Sequence, residues 1–131
     1  MMYNKLVKDC FFSPQHVGAI DIIDRQTVHF RMHRPKQRVI IDFYLSCVAD
    51  EFVARACFKT NGNPYVIAAL EWLCRQVEHK NLCSLPELTQ KTWMDLLELP
   101  VSQSPVAVQM DVLYKEVLIL MKSKLRGINH D

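Results

Sequence analysis

Hydrophobic positions along the chain change their period, and each change marks an element. From Tyr3 to Phe12, Leu6, Val7 and Cys10 recur at helical spacing, and Ser13-Pro14 ends the run. Val17-Gly18 then makes a turn. Thr27 to Met32 alternates instead, with Val28, Phe30 and Met32 on one face and His29, Arg31 and His33 on the other. That pattern predicts a half-buried strand, which Arg34-Pro35-Lys36 breaks. Val39, Ile41, Phe43 and Leu45 alternate with Ile40, Asp42, Tyr44 and Ser46 as a second strand. Phe52 to Thr60 reads as a third, with Phe52, Ala54, Ala56 and Phe58 sharing a face and Ala49-Asp50-Glu51 as the hairpin turn before it. Strands joined so closely predict an antiparallel meander.

The second half is helical. Asn63-Pro64 pairs a capping side chain with a proline suited to the first helical position, and Val66, Ile67, Leu70, Leu73, Cys74 and Val77 follow as an amphipathic stripe. Leu85-Pro86-Glu87 and Lys91-Thr92-Trp93 open two short helices, the second ending at Leu99-Pro100. Ser104-Pro105 repeats the cap-then-proline pattern and starts a long helix that runs to about Arg126, before Gly127. In it Val106, Met110, Leu113, Val117 and Leu120 form a core stripe, while Val108, Val112 and Ile119 lie off it and suggest a second apolar face for a partner or another copy of the chain. The expected fold class is α+β: a small three-stranded antiparallel sheet with helices packed on one face, in a single domain over residues 1–131.

Composition narrows the function classes. Half of the 131 residues are hydrophobic and 23% are charged, which excludes a disordered chain. A formal net charge of +2 is too small to predict nucleic-acid or membrane binding by itself. No stretch approaches the roughly 20 apolar residues of a membrane span, and the first residues lack a signal-peptide core, so the expected location is cytoplasmic. The five cysteines, Cys10, Cys47, Cys57, Cys74 and Cys83, are odd in number and contain no C-x-x-C pair, which fits reduced thiols filling space.

The candidate chemistry is sparse. His29 and His33 share a strand face and could hold a metal, but they lack an obvious third ligand and sit among cations that repel one. Cys57 with His29 or His33 would make a nucleophile–base pair only if the strands bring them within hydrogen-bond reach. No G-x-S-x-G, P-loop, H-E-x-x-H or G-x-G-x-x-G motif is present, so an enzyme is not expected. The strongest positive feature is basic: Arg25, Arg31, Arg34, Lys36 and Arg38, with His29 and His33. Such a stretch is either a solvated strand edge guarded against pairing or a docking surface for an acidic partner. Nucleic acid is less favoured, because one short basic stretch offers no stacking platform.

Several blocks together resemble the IscU/NifU-type iron–sulfur cluster scaffold family. They are Tyr3-x-x-x-Val7-x-Asp9-x-x-x-x-Pro14-x-x-Val17-Gly18, Ala56-x-Phe58-Lys59-Thr60-x-Gly62, Ile67-Ala68, Leu97-x-Leu99-Pro100, and Lys115 with Lys122-Ser123-Lys124. They fall in the family's order along nearly the whole chain. The resemblance implies an α+β sandwich and a [2Fe–2S] or zinc site near the tip of the sheet, held by cysteines with a nearby aspartate and histidine. At the corresponding positions this chain has Gln37, Val39, Asn63, Pro105 and Val106, none of them a soft ligand. The family's chaperone-recognition run, similar to Leu-Pro-Pro-Val-Lys, here reads Leu99-Pro100-Val101-Ser102-Gln103. That change puts recognition by the dedicated Hsp70-type chaperone in question, and docking to the cysteine desulfurase with it.

The resemblance therefore implies a non-catalytic homologue that has lost its ligands, with no cofactor expected, acting as a protein-interaction or regulatory module. Its partner-binding candidates are Arg31, His33, Arg34, Lys36 and Arg38 on the basic segment, and Val108, Val112 and Ile119 on the last helix. Two alternatives stay open. The chain could bind an iron–sulfur cluster or zinc together with a partner, or it could bind nucleic acid or another anion through residues 25–38. The partner expected first is a protein, acidic in character, with a homo-oligomer as the alternative.

Overall fold

The structure, a computed structural model, describes residues 3–22, 26–48 and 51–129. Its elements run α1 (Lys5–Phe12), β1 (Thr27–Arg34), β2 (Val39–Val48), β3 (Phe52–Thr60), α2 (Pro64–Val77), α3 (Gln90–Leu97) and α4 (Ser104–Asn129). The strands form one antiparallel sheet in the order β1-β2-β3, the α+β arrangement expected from the alternation. In register, Val28, Phe30 and Met32 stand opposite Leu45, Phe43 and Ile41, so the apolar rows of β1 and β2 share one face. α4 lies against β1 and β2, α2 against β3, and α1 against α2. One hydrophobic cluster fills the space between sheet and helices, with Trp93, Phe43, Phe58, Leu70, Leu113 and Met121 among its fully buried side chains. No helix of the described residues is long and apolar enough to cross a membrane.

Several sequence expectations need correction. β3 does not keep one face from Phe52 to Phe58. Ser46 pairs with Arg55 and Cys47 with Val53, so Ala54 is an extra residue that inverts the alternation. Val53 is buried completely, while Phe52 and Ala54 are only half-buried. No helix opens at Leu85-Pro86-Glu87. Leu85 is extended (φ −70°, ψ 144°), as a residue before proline tends to be, and a short 3-10 turn at Leu82–Ser84 precedes it.

Ser104 is not a cap either. Its backbone is already helical (φ −56°, ψ −30°), because a 3-10 turn at Val101–Gln103 feeds directly into α4. The long helix runs on through Gly127 to Asn129, since glycine lowers helix propensity without blocking the backbone. Leu120 is exposed and Met121 takes its place in the core, continuing the row of Val106, Met110, Leu113 and Val117. The hairpin residues Ala49 and Asp50 lie outside the described residues; Glu51, which follows them, has a positive φ of 59°.

The β3 edge of the sheet is closed rather than bare. On the free edge of β3, the Phe58 N–H donates to the His16 carbonyl and the Phe58 carbonyl accepts from Gly18 N–H. Further along, Val53 exchanges hydrogen bonds with His79 and Lys80, and the Ala56 N–H donates to Glu78 Oε2. Gly18 adopts φ +150°, a conformation that favours glycine, where it meets the strand. The segment before it is fastened by Glu71, which sits fully buried in α2. Glu71 Oε1 accepts the backbone N–H groups of Gln15 and His16 at 2.8 and 2.9 Å. Glu71 Oε2 meets His16 Nδ1 at 2.7 Å and Arg75 Nε at 2.8 Å, and His16 Nε2 lies 3.0 Å from Glu78 Oε1. A sheet edge covered in this way offers no template for pairing with another chain.

Candidate functional site

Three connections meet at one end of the sheet: the turn after β1, the loop between β3 and α2, and the entry to α4. The first is a 3-10 turn at Pro35–Gln37, closed by Arg38 in the left-handed region (φ 56°) with its N–H donating to the Pro35 carbonyl. Asn61 fixes this turn to the end of β3. Its Oδ1 accepts the Ile40 N–H at 2.8 Å and its Nδ2 donates to the Arg38 carbonyl at 3.2 Å. Gly62 then passes so close to α2 that an added Cβ would lie 2.6 Å from Val66 Cβ, which only glycine avoids. Asn63 caps α2 by accepting the Val66 N–H at 3.1 Å. Its amide donates across to Gln103 Oε1 at 2.7 Å, tying the second connection to the third.

The three connections that carry the positions the family resemblance assigns to metal ligands meet here, and two of those positions, Gln37 and Pro105, share a cleft. Gln37, Ser104 and Pro105 line one surface cleft of about 670 Å³, together with His33, Arg34 and Lys36. The donor set does not suit a cluster or zinc. Val39 and Val106 are buried hydrocarbon, Pro105 offers no side-chain donor, Asn63 has both amide atoms engaged, and Gln37 is an exposed neutral amide. Among the described residues, no group of three or more His, Cys, Asp or Glu could hold a metal ion.

The five cysteines are free and stand elsewhere. Burial pushes the thiols of Cys10, Cys57 and Cys74 up, and that of Cys47 to about 11, which disfavours the thiolate needed for ligation or nucleophilic attack. Cys83 is exposed.

The basic segment divides. Arg25 lies outside the described residues. Arg31 makes a two-pronged contact with Asp42, Nε to Oδ1 at 2.9 Å and Nη2 to Oδ2 at 3.1 Å, and His29 Nε2 reaches the same Oδ1 at 2.6 Å. The Arg31 hydrogen bond outweighs burial and holds the Asp42 carboxyl below its ordinary range. The His29 ring also stacks on Tyr44 at a centroid distance of 4.4 Å. These two basic residues therefore form a self-satisfied patch on the outer sheet face.

His29 and Cys57 both flank Tyr44 in the register, two strand spacings apart or roughly 10 Å, too far for a nucleophile–base hydrogen bond. His33, Arg34 and Lys36 stay together at the cleft, and Val108 joins them from α4. Arg38 supplies the turn. Val112 packs against the core rather than facing outward, whereas Ile119 is 59% exposed away from the cleft. Sequence reading missed Asp42 as a counter-ion and Gln109 as a cleft residue. Asp42 had a legible signal, a lone acid in a basic strand pair; Gln109 had none.

The sequence matches no family model and no curated protein. The fold, however, is known. The N-terminal domain of a nitrogen-fixing NifU-like protein from Brucella abortus superposes with a TM-score of 0.62 at 14% identity, covering 98% of this chain and 94% of that one. A crystal structure described as that of a hypothetical protein superposes with a TM-score of 0.61 at 14% identity, over 86% of this chain and 93% of that one. The fold is of the IscU/NifU type, as the resemblance implied.

Proposed function

We propose that the chain is a ligand-depleted homologue of the IscU/NifU-type iron–sulfur scaffolds, retained as a non-catalytic protein-interaction or regulatory module that holds no cluster of its own. One observation carries this reading. The three connections that would present the ligands still meet, but their side chains now serve the fold. Asn63 works as a helix cap and a cross-link to Gln103, and Val39 and Val106 work as core residues. Soft thiolates are what a cluster requires, and none is offered there. We also assign the protein to the cytoplasm, on the support of five cysteines that form no disulfide.

The test is metal analysis and an absorption spectrum of anaerobically purified protein. Iron and zinc are expected well below one atom per chain. Stoichiometric metal that survives a chelator overturns the reading and favours a cluster or zinc ion held with a partner. A complementary variant, Gln37→Cys with Val39→Asp, Asn63→Cys and Val106→Cys, is expected to gain one zinc per chain. It asks whether the connections still meet in the family's geometry.

A further inference from the structure

The cleft between the turn after β1 and the start of α4 combines two kinds of surface. Its rim is cationic. Arg34 and Lys36 make no ion pair with any described residue, and no acidic side chain lines the cleft. By contrast, Arg31, Lys91 and Lys115 each sit against a carboxylate. The positive end of the 26-residue α4 lies at the same place and adds to the potential. The walls are apolar, formed by Pro35, Pro105 and Val108, the last 42% exposed. Gln109 completes the lining, and its buried carboxamide oxygen has no hydrogen-bond partner.

A volume of about 670 Å³ would admit a small molecule, but Pro35, Lys36, Gln37 and Val108 are all exposed. Small-molecule sites bury most of their ligand, which these open walls would not do. An apolar anchor with a charged rim around it is instead the anatomy of a protein interface.

We propose that this cleft docks an acidic segment of a partner protein, with one large apolar side chain seated between Pro35, Pro105 and Val108 and carboxylates facing Arg34 and Lys36. The proposal rests on the interaction-module reading and supplies its surface and the chemistry of its partner.

The test is selection of a displayed random dodecapeptide library on the full chain at low salt, with Arg34→Glu/Lys36→Glu protein for counter-selection. The expected consensus places Asp and Glu around a single Leu, Phe or Trp. A synthetic peptide of that consensus should shift the amide resonances of residues 33–37 and 104–109. Its binding should weaken by about tenfold or more in the charge-reversed protein, in Val108→Asp, and on raising salt. Circular dichroism checks that both variants remain folded.

Consensus sequences without acidic residues, or binding unchanged in both variants, overturn the proposal. Failure to recover any peptide overturns it too, and saturable binding of octanoate or phenyl phosphate at the same amides then identifies a small-anion site instead. Iron and zinc measured on the same preparation separate the two claims. Metal-loaded protein sinks the underlying reading, whereas metal-free protein with no cleft peptide removes only the docking site.

Discussion

The network around His16 and the cleft at the start of α4 handle charge in opposite ways. In the network, Glu71 is fully buried, and each carboxylate oxygen has two donors within 2.9 Å. Burial alone would raise its pKa, but hydrogen bonds from Arg75, His16 and the backbone outweigh it and hold the carboxyl below its ordinary value of 4.5. Burial likewise pulls His16 down, but Glu71 and Glu78 outweigh it and raise its pKa above the ordinary 6.5. At the cleft, Arg34 and Lys36 have no counter-ion among the described residues. Buried charge has to be paired for the chain to fold, whereas exposed charge can stay unpaired at little cost. The first region therefore stabilises the fold, and the second is free to meet another molecule.

Breaking the network should have the largest effect. Glu71→Ala removes the shared acceptor of Gln15, His16 and Arg75 at once, and urea denaturation is expected to show a loss of about 3–5 kcal/mol. A loss below about 1 kcal/mol would mean that the network is not what fastens residues 15–18 to β3.

Gly62→Ala comes next, because its methyl group would overlap Val66. The expected loss is about 1–3 kcal/mol by the same measurement. That variant also probes the comparison, since it strains the cleft end of the sheet without touching a charge.

The pH dependence is smaller and has two sides. His16 has a raised folded pKa, so its contribution is complete below 6.5 and is lost as pH rises through the folded value. Glu71 has a lowered folded pKa, so its contribution is present above 4.5 and is lost as pH falls through the folded value. Both are in force between 4.5 and 6.5. Unfolding free energy measured from pH 6 to 9 should decline in the wild type, and the His16→Gln variant should lose that part of the decline.

The smallest effect belongs to Arg34→Gln with Lys36→Gln. Thermal denaturation should place this variant within about 0.5 kcal/mol of the wild type, because neither cation holds anything in place. A larger loss would show that the cleft cations serve the fold after all.

Much of this was legible in the sequence because the interactions are local. Asn63-Pro64 specifies a cap and a first turn within four residues, and the alternation of β1 and β2 depends only on neighbours two apart. The bulge at Ala54 left no such trace, because Phe52, Ala54, Ala56 and Phe58 alternate perfectly in the sequence and only pairing with β2 shows the slip. The exchange of Leu120 for Met121 was equally hidden: both are apolar and adjacent, and only the packed structure shows that Met121 is the buried one.

The sequence by itself determined the order and type of the three strands and the main helices, since backbone propensity and hydrophobic period are properties of single residues and short windows. Only the tertiary structure decided which charges were free. His16 meets Glu71 across 55 residues of chain, and Arg31 finds Asp42 across a strand pair, while Arg34 and Lys36 find no acid among the described residues. Coulomb and hydrogen-bond energies depend on distance in space, and the fold alone sets that distance.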